Sequence, residues 1–225
     1  LVNDQERPSA MTINAVDFAS LLCSRLCHDL LSPVGALNNG LELLADEHDP
    51  EMRARCLDLL AESARASANK LKFFRLAFGA AGGFDETVDT REAKAAIEGL
   101  FGTDGKIELN WLVDSAALDK TAIKVLLNLV LIAGDALVRG GRLDVAAEAA
   151  GRETEIVVRA EGPRLVLDSE LRTALQEDLA DVSALTPRAA AAWLARQLAT
   201  ASGGIIRVSD PDEPTLLFGA LIGKD

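Results

Sequence analysis

Leucines recur at helical spacing near the start of the chain, and this pattern constrains the fold more than any other feature. At about 100° per residue, the apolar side chains gather on one side of a helix expected from about Asn14 to about Glu47. The stripe consists of Leu22, Leu26, Leu30, Leu37, Leu41 and Leu44. Cys23 falls on the same side, and we expect it to fill the core. A helix with one such apolar stripe needs a second surface to cover it.

A second helix is predicted directly after a short loop. Asp49 is a good N-cap residue, and Pro50 suits the first helical position. Apolar positions then alternate in steps of three and four, as in a coiled-coil seam. The seam consists of Leu57, Leu60, Ala64, Ser67, Leu71, Phe74 and Phe78. A lone hairpin leaves this stripe half uncovered, so we expect two hairpins to form a four-helix bundle in a homodimer. The alternative is that the C-terminal part of the same chain covers the stripe.

His28 lies on the opposite, polar side of the first predicted helix. A histidine there faces water or a partner, and a neutral imidazole offers a ring nitrogen that can attack phosphorus. Ser32 follows one turn later, where its hydroxyl can contact the ring or a bound phosphoryl group. Pro33 donates no backbone N–H, so it frees the carbonyl of Asp29. Asp29 itself reaches the ring only from the flank. The alternative, a surface histidine beside a solvated acid, is disfavoured by this combination of residues.

The hexapeptide from His28 to Pro33 resembles the H-box of the dimerisation and histidine-phosphotransfer domain of two-component signalling. The wider stretches 22–44 and 75–80 resemble the ChpT-type histidine phosphotransferases of alphaproteobacterial cell-cycle phosphorelays. This resemblance covers most of the chain but is specific mainly in the first third. It implies a relay of phosphoryl groups between receiver domains through a phosphohistidine at His28. We count Asp29 and Ser32 with His28 as the catalytic residues.

A docked receiver domain must bring its aspartate within bonding range of His28, so its footprint must surround that residue. The predicted docking residues on this face are Leu21, Ser24, Arg25, Leu31, Gly35 and Asn39. Leu21 and Leu31 are apolar on an otherwise polar face, which favours contact with a partner or, alternatively, with this chain's own C-terminal domain. Arg25 suits acids around a receiver's active site or the phosphoryl group itself. Gly35 leaves room for the incoming surface.

Beyond residue 84 the hydrophobic pattern changes, and segments with helical and strand periodicity alternate. We expect a helix capped by Asp89 and ending near Phe101, and a long apolar helix over 119–138. Further predictions are strands at 107–113, 143–145, 155–159, 205–208 and 216–221, and an Ala-rich helix from Thr186 to Ser202. This order favours an α/β sandwich with helices on one face of a mixed sheet. The predicted fold class is α+β, with a helical hairpin over 11–80 and a sandwich domain over 84–225.

The order of these later elements resembles the Bergerat-fold ATP-binding domain of histidine kinases, but the positions that carry nucleotide chemistry differ. Ile132 stands where the N-box asparagine would hold Mg²⁺, and it has no oxygen to offer. Ala160 replaces the aspartate that reads adenine, Arg164 replaces a glycine, and the lid-like loop near 184–188 has no glycine at all. We therefore expect a degenerate domain that binds no nucleotide cofactor and no metal and serves as a docking or scaffolding surface. An unrelated α/β domain is the alternative.

Composition narrows the set of partners. The formal net charge of −12 over 225 residues argues against a nucleic-acid binder. No apolar run reaches the roughly 18–20 residues of a membrane span, and no secretory signal is visible. The three cysteines form no CxxC pair, which is typical of a reducing cytosol, so we expect a cytoplasmic protein. Residues before Met11 are polar and aperiodic and do not enter the fold prediction.

The family resemblance also implies particular partners. Upstream it implies the receiver domain of a hybrid histidine kinase of the CckA type, and downstream response regulators of the CtrA and CpdR type. Mg²⁺ is expected on the partner receiver rather than on this chain. Two alternatives stay open. One is an ATP-dependent histidine kinase, which needs the missing acidic and glycine motifs, and the other is a non-catalytic dimeric interaction module in which His28 is incidental.

Overall fold

The computed structural model describes residues 15–79, 86–102, 105–177 and 185–223. The elements in chain order are α1 (Ala15–Asp46), α2 (Pro50–Ala77), β1 (Thr87–Asp89), α3 (Thr90–Phe101), β2 (Ile107–Leu112), β3 (Ala117–Asp119), α4 (Lys120–Ala136), β4 (Gly141–Ala150), β5 (Glu153–Glu161), α5 (Ser169–Gln176), α6 (Ala190–Ala201), β6 (Ile205–Val208) and β7 (Leu216–Gly223). The predicted domain limits at residues 11, 80, 84 and 225 lie outside the described residues.

The two N-terminal helices form the predicted hairpin. The carboxylate of Asp49 accepts the backbone N–H of Glu51 at 3.3 Å and so caps α2. Arg53 reaches back across the loop and donates from Nη1 to the carbonyl oxygens of Leu44 at 3.1 Å and Glu47 at 2.7 Å. These two bonds satisfy carbonyls that the end of α1 leaves without intrahelical partners. The tight loop is therefore fixed from both helices.

The C-terminal part contains a mixed five-stranded sheet in the order β2-β4-β5-β7-β6, with β1 and β3 paired as a small separate sheet. β2 and β4 run parallel, and the other pairs of the large sheet are antiparallel. Alternate residues of the central strands are buried, namely Leu143, Val145, Ala147, Ile156, Val158, Ala160, Leu216, Phe218, Ala220 and Ile222. The residues between them are mostly half-buried or exposed, so the helices cover one face of the sheet. The prediction of a hairpin followed by an α/β sandwich is confirmed.

Helix α4 is the centre of the core and joins the hairpin to the sheet. Its residues from Ala122 to Gly134 are buried, apart from the half-buried Lys124. Within this run the amide of Asn128 donates from Nδ2 to the carbonyl oxygens of Lys124 at 2.8 Å and Ala77 at 3.2 Å. The bond to Ala77 satisfies a carbonyl at the end of α2, so α2 is fixed directly to the central helix.

The apolar seam of α2 is covered by its own chain over only part of its length. Phe74 is buried against the core, and Phe78 stacks on it with ring centroids 5.1 Å apart. Leu57 and Leu71 remain 54% and 49% exposed. The C-terminal domain therefore covers the end of the seam, which was the alternative to a dimer, and the rest of the seam stays open.

Several local expectations were wrong. Cys23 is exposed rather than in the core, because the sides of α1 that are covered face α2 and α6. The Ala-rich helix begins at Ala190, and Thr186 lies in the segment before it. Helix α5 and the short strands β1 and β3 were not predicted, since segments of eight and three residues carry little periodicity. Among the helices of the described ranges, none has the length and hydropathy to cross a bilayer.

Candidate functional site

His28 projects from the middle of α1 with 84% of its side chain exposed. Its Nδ1 lies 3.0 Å from Oδ1 of Asp29, the next residue. A carboxylate oxygen accepts hydrogen bonds and does not donate them, so this contact assigns the ring proton to Nδ1. The lone pair of the neutral ring is then on Nε2. In this tautomer the exposed ring presents Nε2 to a partner.

Asp29 is itself held from the other side by Arg25. Arg25 Nε donates to Asp29 Oδ2 at 2.8 Å, and Arg25 Nη2 donates to Oδ2 of Asp135 at 2.7 Å. The Arg25 side chain is only 9% exposed. Burial alone would lower the pKa of the guanidinium, but the charges and hydrogen bonds of Asp135 and Asp29 outweigh burial and raise it. The arginine is therefore a buried cation shared by two carboxylates, one on α1 and one on α4.

Arg25 was expected to lie exposed on the polar face of α1, but its side chain is buried, and its docking role stays a prediction. The guanidinium crosses from α1 to α4 and is occupied by Asp29 and Asp135. The polar face of an isolated helix can be read from its period, but the domain that covers that face cannot. An arginine turned toward a carboxylate on the covering domain is buried even where the helix pattern places it outside.

Lys70 of α2 completes the surroundings of Asp29. Its Nζ donates to the backbone carbonyl oxygen of Asp29 at 2.8 Å. Pro33 lies inside α1, four residues beyond Asp29, and has no N–H to give to that carbonyl. The lysine supplies the hydrogen bond that the proline removes. The sequence signalled the free carbonyl through Pro33 but not the donor, which is 41 residues away.

The remaining predicted site residues divide into exposed and covered ones. Ser24, Leu31, Ser32 and Asn39 are exposed, and Leu31 is 69% exposed. Gly35 is half-buried, and a Cβ built on it would meet no atom within 4 Å, so the space it was predicted to leave is present. Leu21 is partly buried and packs against the hydrophobic core, to which α2 and the C-terminal domain both contribute. Its docking role stays a prediction.

A cleft of about 660 Å³ opens beside His28, between α1 and the C-terminal domain. One wall is formed by Ser24, Arg25, His28 and Asp29, and the other by Asp135 and the segment Thr186–Arg188. Asp135, Thr186, Pro187 and Arg188 were not predicted as site residues. Asp135 lies 110 residues from Arg25 in the chain, the other three lie further away, and no local pattern links them to α1.

Two of the three residues that stand at nucleotide-binding positions of histidine kinases lie in the core of this chain. Ile132 and Ala160 are buried in the core at 3% and 0% exposure, so neither side chain faces a ligand surface. Arg164 is exposed. The lid-like loop falls partly outside the described residues, since Ala184 is not described. Over the ranges that the structure describes, no group of three or more acidic, histidine or cysteine side chains is arranged to hold a metal ion.

Comparisons with known proteins show which family combines such a helical hairpin with an α/β domain of this kind. Residues 90–214 match the family model described as the histidine phosphotransferase C-terminal domain. The chain is 40% identical over 155 residues to protein phosphotransferase ChpT of Brucella abortus strain 2308, covering 69% of this chain and 72% of that protein. A solved bacterial phosphotransferase superposes with a TM-score of 0.80 at 32% identity, covering 94% of this chain and 98% of that one. The chain belongs to the histidine phosphotransferase family.

A double-mutant cycle tests whether the Lys70 ammonium replaces the backbone N–H that Pro33 cannot donate to the carbonyl of Asp29. Lys70→Met leaves the partly buried carbonyl of Asp29 unpaired, so we expect it to lower the free energy of unfolding by about 1 kcal/mol. In a Pro33→Ala background, residue 33 can donate its own N–H, so the same substitution should cost less. Urea denaturation of the four proteins at one protein concentration measures this difference. Lys72→Met, at an exposed position on the same helix, is the control. Equal losses in both backgrounds would contradict the exchange.

Proposed function

We propose that this chain relays phosphoryl groups between receiver domains through a phosphohistidine at His28. The observation that carries the proposal is the pairing of a highly exposed imidazole with Asp29 at 3.0 Å, which leaves Nε2 free to react. Family membership supports phosphotransfer as the chemistry. An exposed nitrogen nucleophile is what a surface must offer when the phosphoryl donor is another folded domain.

The proposed step is an in-line displacement at phosphorus. The Nε2 lone pair forms a bond to phosphorus while the bond from phosphorus to the receiver's aspartate oxygen breaks, and the carboxylate leaves with the electron pair. The ring becomes cationic as the N–P bond forms, because Nδ1 keeps its proton. Asp29 holds that Nδ1–H and offsets the developing charge. Transfer to a second receiver is the same step in reverse.

The partners in this proposal are two receiver domains, and the docking face is the exposed part of α1 around His28 together with the cleft beside it. The donor is the receiver of a hybrid histidine kinase of the CckA type, and the acceptors are response regulators of the CtrA and CpdR type, as the family resemblance implies. Mg²⁺ enters with the receiver. This chain contributes the nucleophile, its tautomer and the surface that aligns the two reactants.

An ATP-dependent kinase is the weaker candidate. Nucleotide chemistry would need polar or glycine positions where Ile132 and Ala160 are buried in the core and Arg164 stands. A non-catalytic interaction module is also weaker, because it gives no reason for the ordered contact between His28 and Asp29. Phosphate acceptance separates both candidates from the relay.

We include a homodimer in the proposal. The hairpin carries large exposed apolar side chains, namely Val34, Leu41, Leu43, Met52, Leu57, Leu59 and Leu71. Leu57 and Leu71 belong to the coiled-coil-like seam of α2. Apolar area of this extent on a hairpin is typical of a helix-bundle interface and favours a second copy of the hairpin as its cover.

The nucleophile is tested by substitution of each histidine. His28→Ala should abolish phosphate acceptance from a phosphorylated receiver domain, because no other ring nitrogen stands on this face. His48→Ala is the matched control, since His48 is an exposed histidine in the loop between α1 and α2, and it should accept phosphate at the parent rate. Radiolabel transfer followed by acid treatment measures both proteins. Label retained on His28→Ala would contradict the assignment.

The homodimer is tested at Leu71. In a single chain this residue is half exposed, so Leu71→Glu should leave the fold intact. In a dimer the charge would be buried without a partner and should weaken association by several kcal/mol. Sedimentation velocity should show a dimer for the parent and a folded monomer for the variant. Leu112→Glu, 54% exposed on β2, is the control and should remain dimeric. A monomeric parent, or a variant that dimerises like the parent, would refute the interface.

The docking face is tested at Leu31. This side chain is 69% exposed one turn from His28, where a receiver must dock. Leu31→Asp should slow phosphate acceptance by about tenfold, the effect of losing one strong interface contact. Its circular dichroism and dimer mass should match those of the parent. Leu112→Asp is the control, because it changes an exposed leucine on β2, away from α1. If both variants accept phosphate at the parent rate, docking does not use this face.

A further inference from the structure

Asp135 takes no part in the proposed relay step, yet it contacts Arg25 beside His28. It lies in the last turn of α4, within the C-terminal domain, and its Oδ2 accepts Arg25 Nη2 at 2.7 Å. The two residues are 110 positions apart in the chain. The Asp135 side chain is 31% exposed and forms part of the cleft wall beside His28. It is therefore the acid through which the C-terminal domain reaches the histidine helix.

The guanidinium of Arg25 is planar, and its donors point in fixed directions. Nε is directed to Asp29 and Nη2 to Asp135, so the position of one carboxylate sets the aim of the donor toward the other. The Arg25 side chain is 9% exposed, and a cation so buried is kept in place by its two acids rather than by water. Without Asp135, nothing on α4 would hold the plane of the guanidinium in this orientation.

The two oxygens of Asp29 have separate tasks. Oδ2 accepts Arg25 Nε at 2.8 Å, and Oδ1 lies 3.0 Å from His28 Nδ1. Because Arg25 occupies Oδ2, the carboxylate cannot turn away from the ring without breaking an ion pair. A continuous chain of contacts thus runs from the C-terminal domain to the imidazole.

We propose that Asp135 is a positioning residue for His28, acting through Arg25 and Asp29 to keep the ring proton on Nδ1 and the reactive lone pair on Nε2. This inference rests on the proposed phosphotransfer at His28 for its purpose, but the tautomer that it specifies is independent of any partner. It gives the C-terminal domain a part in the chemistry that needs no nucleotide. A merely structural tie between the domains would change stability and leave the tautomer as it is.

The experiment compares the imidazole of the parent with that of three variants. Asp135→Asn removes the charge and keeps the shape, Asp135→Glu restores the charge on a longer arm, and Asp46→Asn removes an exposed acid from the far end of α1 as the control. Labelling of histidine with ¹⁵N marks only two imidazole rings, and a His48→Ala background leaves the two ring nitrogens of His28 alone. The ¹⁵N shifts of Nδ1 and Nε2 at mildly alkaline pH report the tautomer directly.

We expect the Nδ1–H form to dominate in the parent and in Asp46→Asn, and a mixture with the Nε2–H form in Asp135→Asn. Asp135→Glu should restore at least part of the parent ratio. Phosphate acceptance by Asp135→Asn should fall by about tenfold, by analogy with the removal of an outer hydrogen-bond partner of a metal-bound histidine. If Asp135→Asn fails to fold, Arg25→Lys replaces it, because a single ammonium cannot bridge both acids in this geometry, and the same mixture is expected.

A parent ring with Nε2–H dominant, or an unchanged tautomer ratio in a folded Asp135→Asn protein, would overturn the inference. So would a tautomer change that leaves the rate of phosphate acceptance unaltered. If the parent chain accepts no phosphate at all, the proposed relay fails, while the tautomer ratios still decide whether Asp135 positions the ring. The two failures are therefore distinguishable.

Discussion

The arrangement of the site depends on the ion pairs that the buried guanidinium of Arg25 forms with Asp29 and Asp135. A cation with 9% exposure is stable only if carboxylates replace the water it has lost, and here two do so. One of them, Asp29, contacts His28, and the other, Asp135, belongs to the central helix of the C-terminal domain. The same ion pairs that hold the two parts of the chain together therefore also orient the imidazole.

The rest of the molecule supports this contact by fixing α1 against its neighbours. Asn128 joins the end of α2 to the central helix, and Lys70 on α2 supplies a hydrogen bond to the backbone of α1 where Pro33 leaves a carbonyl free. The histidine is thus exposed while the backbone beneath it is held from two sides. Such support is what a phosphotransfer surface needs, since the reacting nitrogen must meet a partner without being rebuilt for each encounter.

The sequence predicted most of the fold because the signals were local. The leucine period, the Asp49 cap and the alternation in the strands depend on residues a few positions apart. The exposure of His28 and the free carbonyl of Asp29 were predicted from neighbouring residues, whereas the contacts around them were not. Arg25 was placed outside because its partner on α4 is 110 residues away, and a helical period does not tell which domain covers a face. Asp135 was not predicted for the same reason, since no pattern near it in the sequence indicates a contact with α1.

The central claim is that His28 reacts through Nε2 because Asp29 holds the proton on Nδ1. The most direct measurement is the position of the phosphoryl group on the ring. A ¹⁵N-histidine-labelled chain phosphorylated by a receiver domain can be examined by ³¹P–¹⁵N correlation under alkaline conditions. The account predicts a bond from phosphorus to Nε2 of His28, with the proton remaining on Nδ1. A phosphoryl group on Nδ1, or on any other side chain, would contradict it.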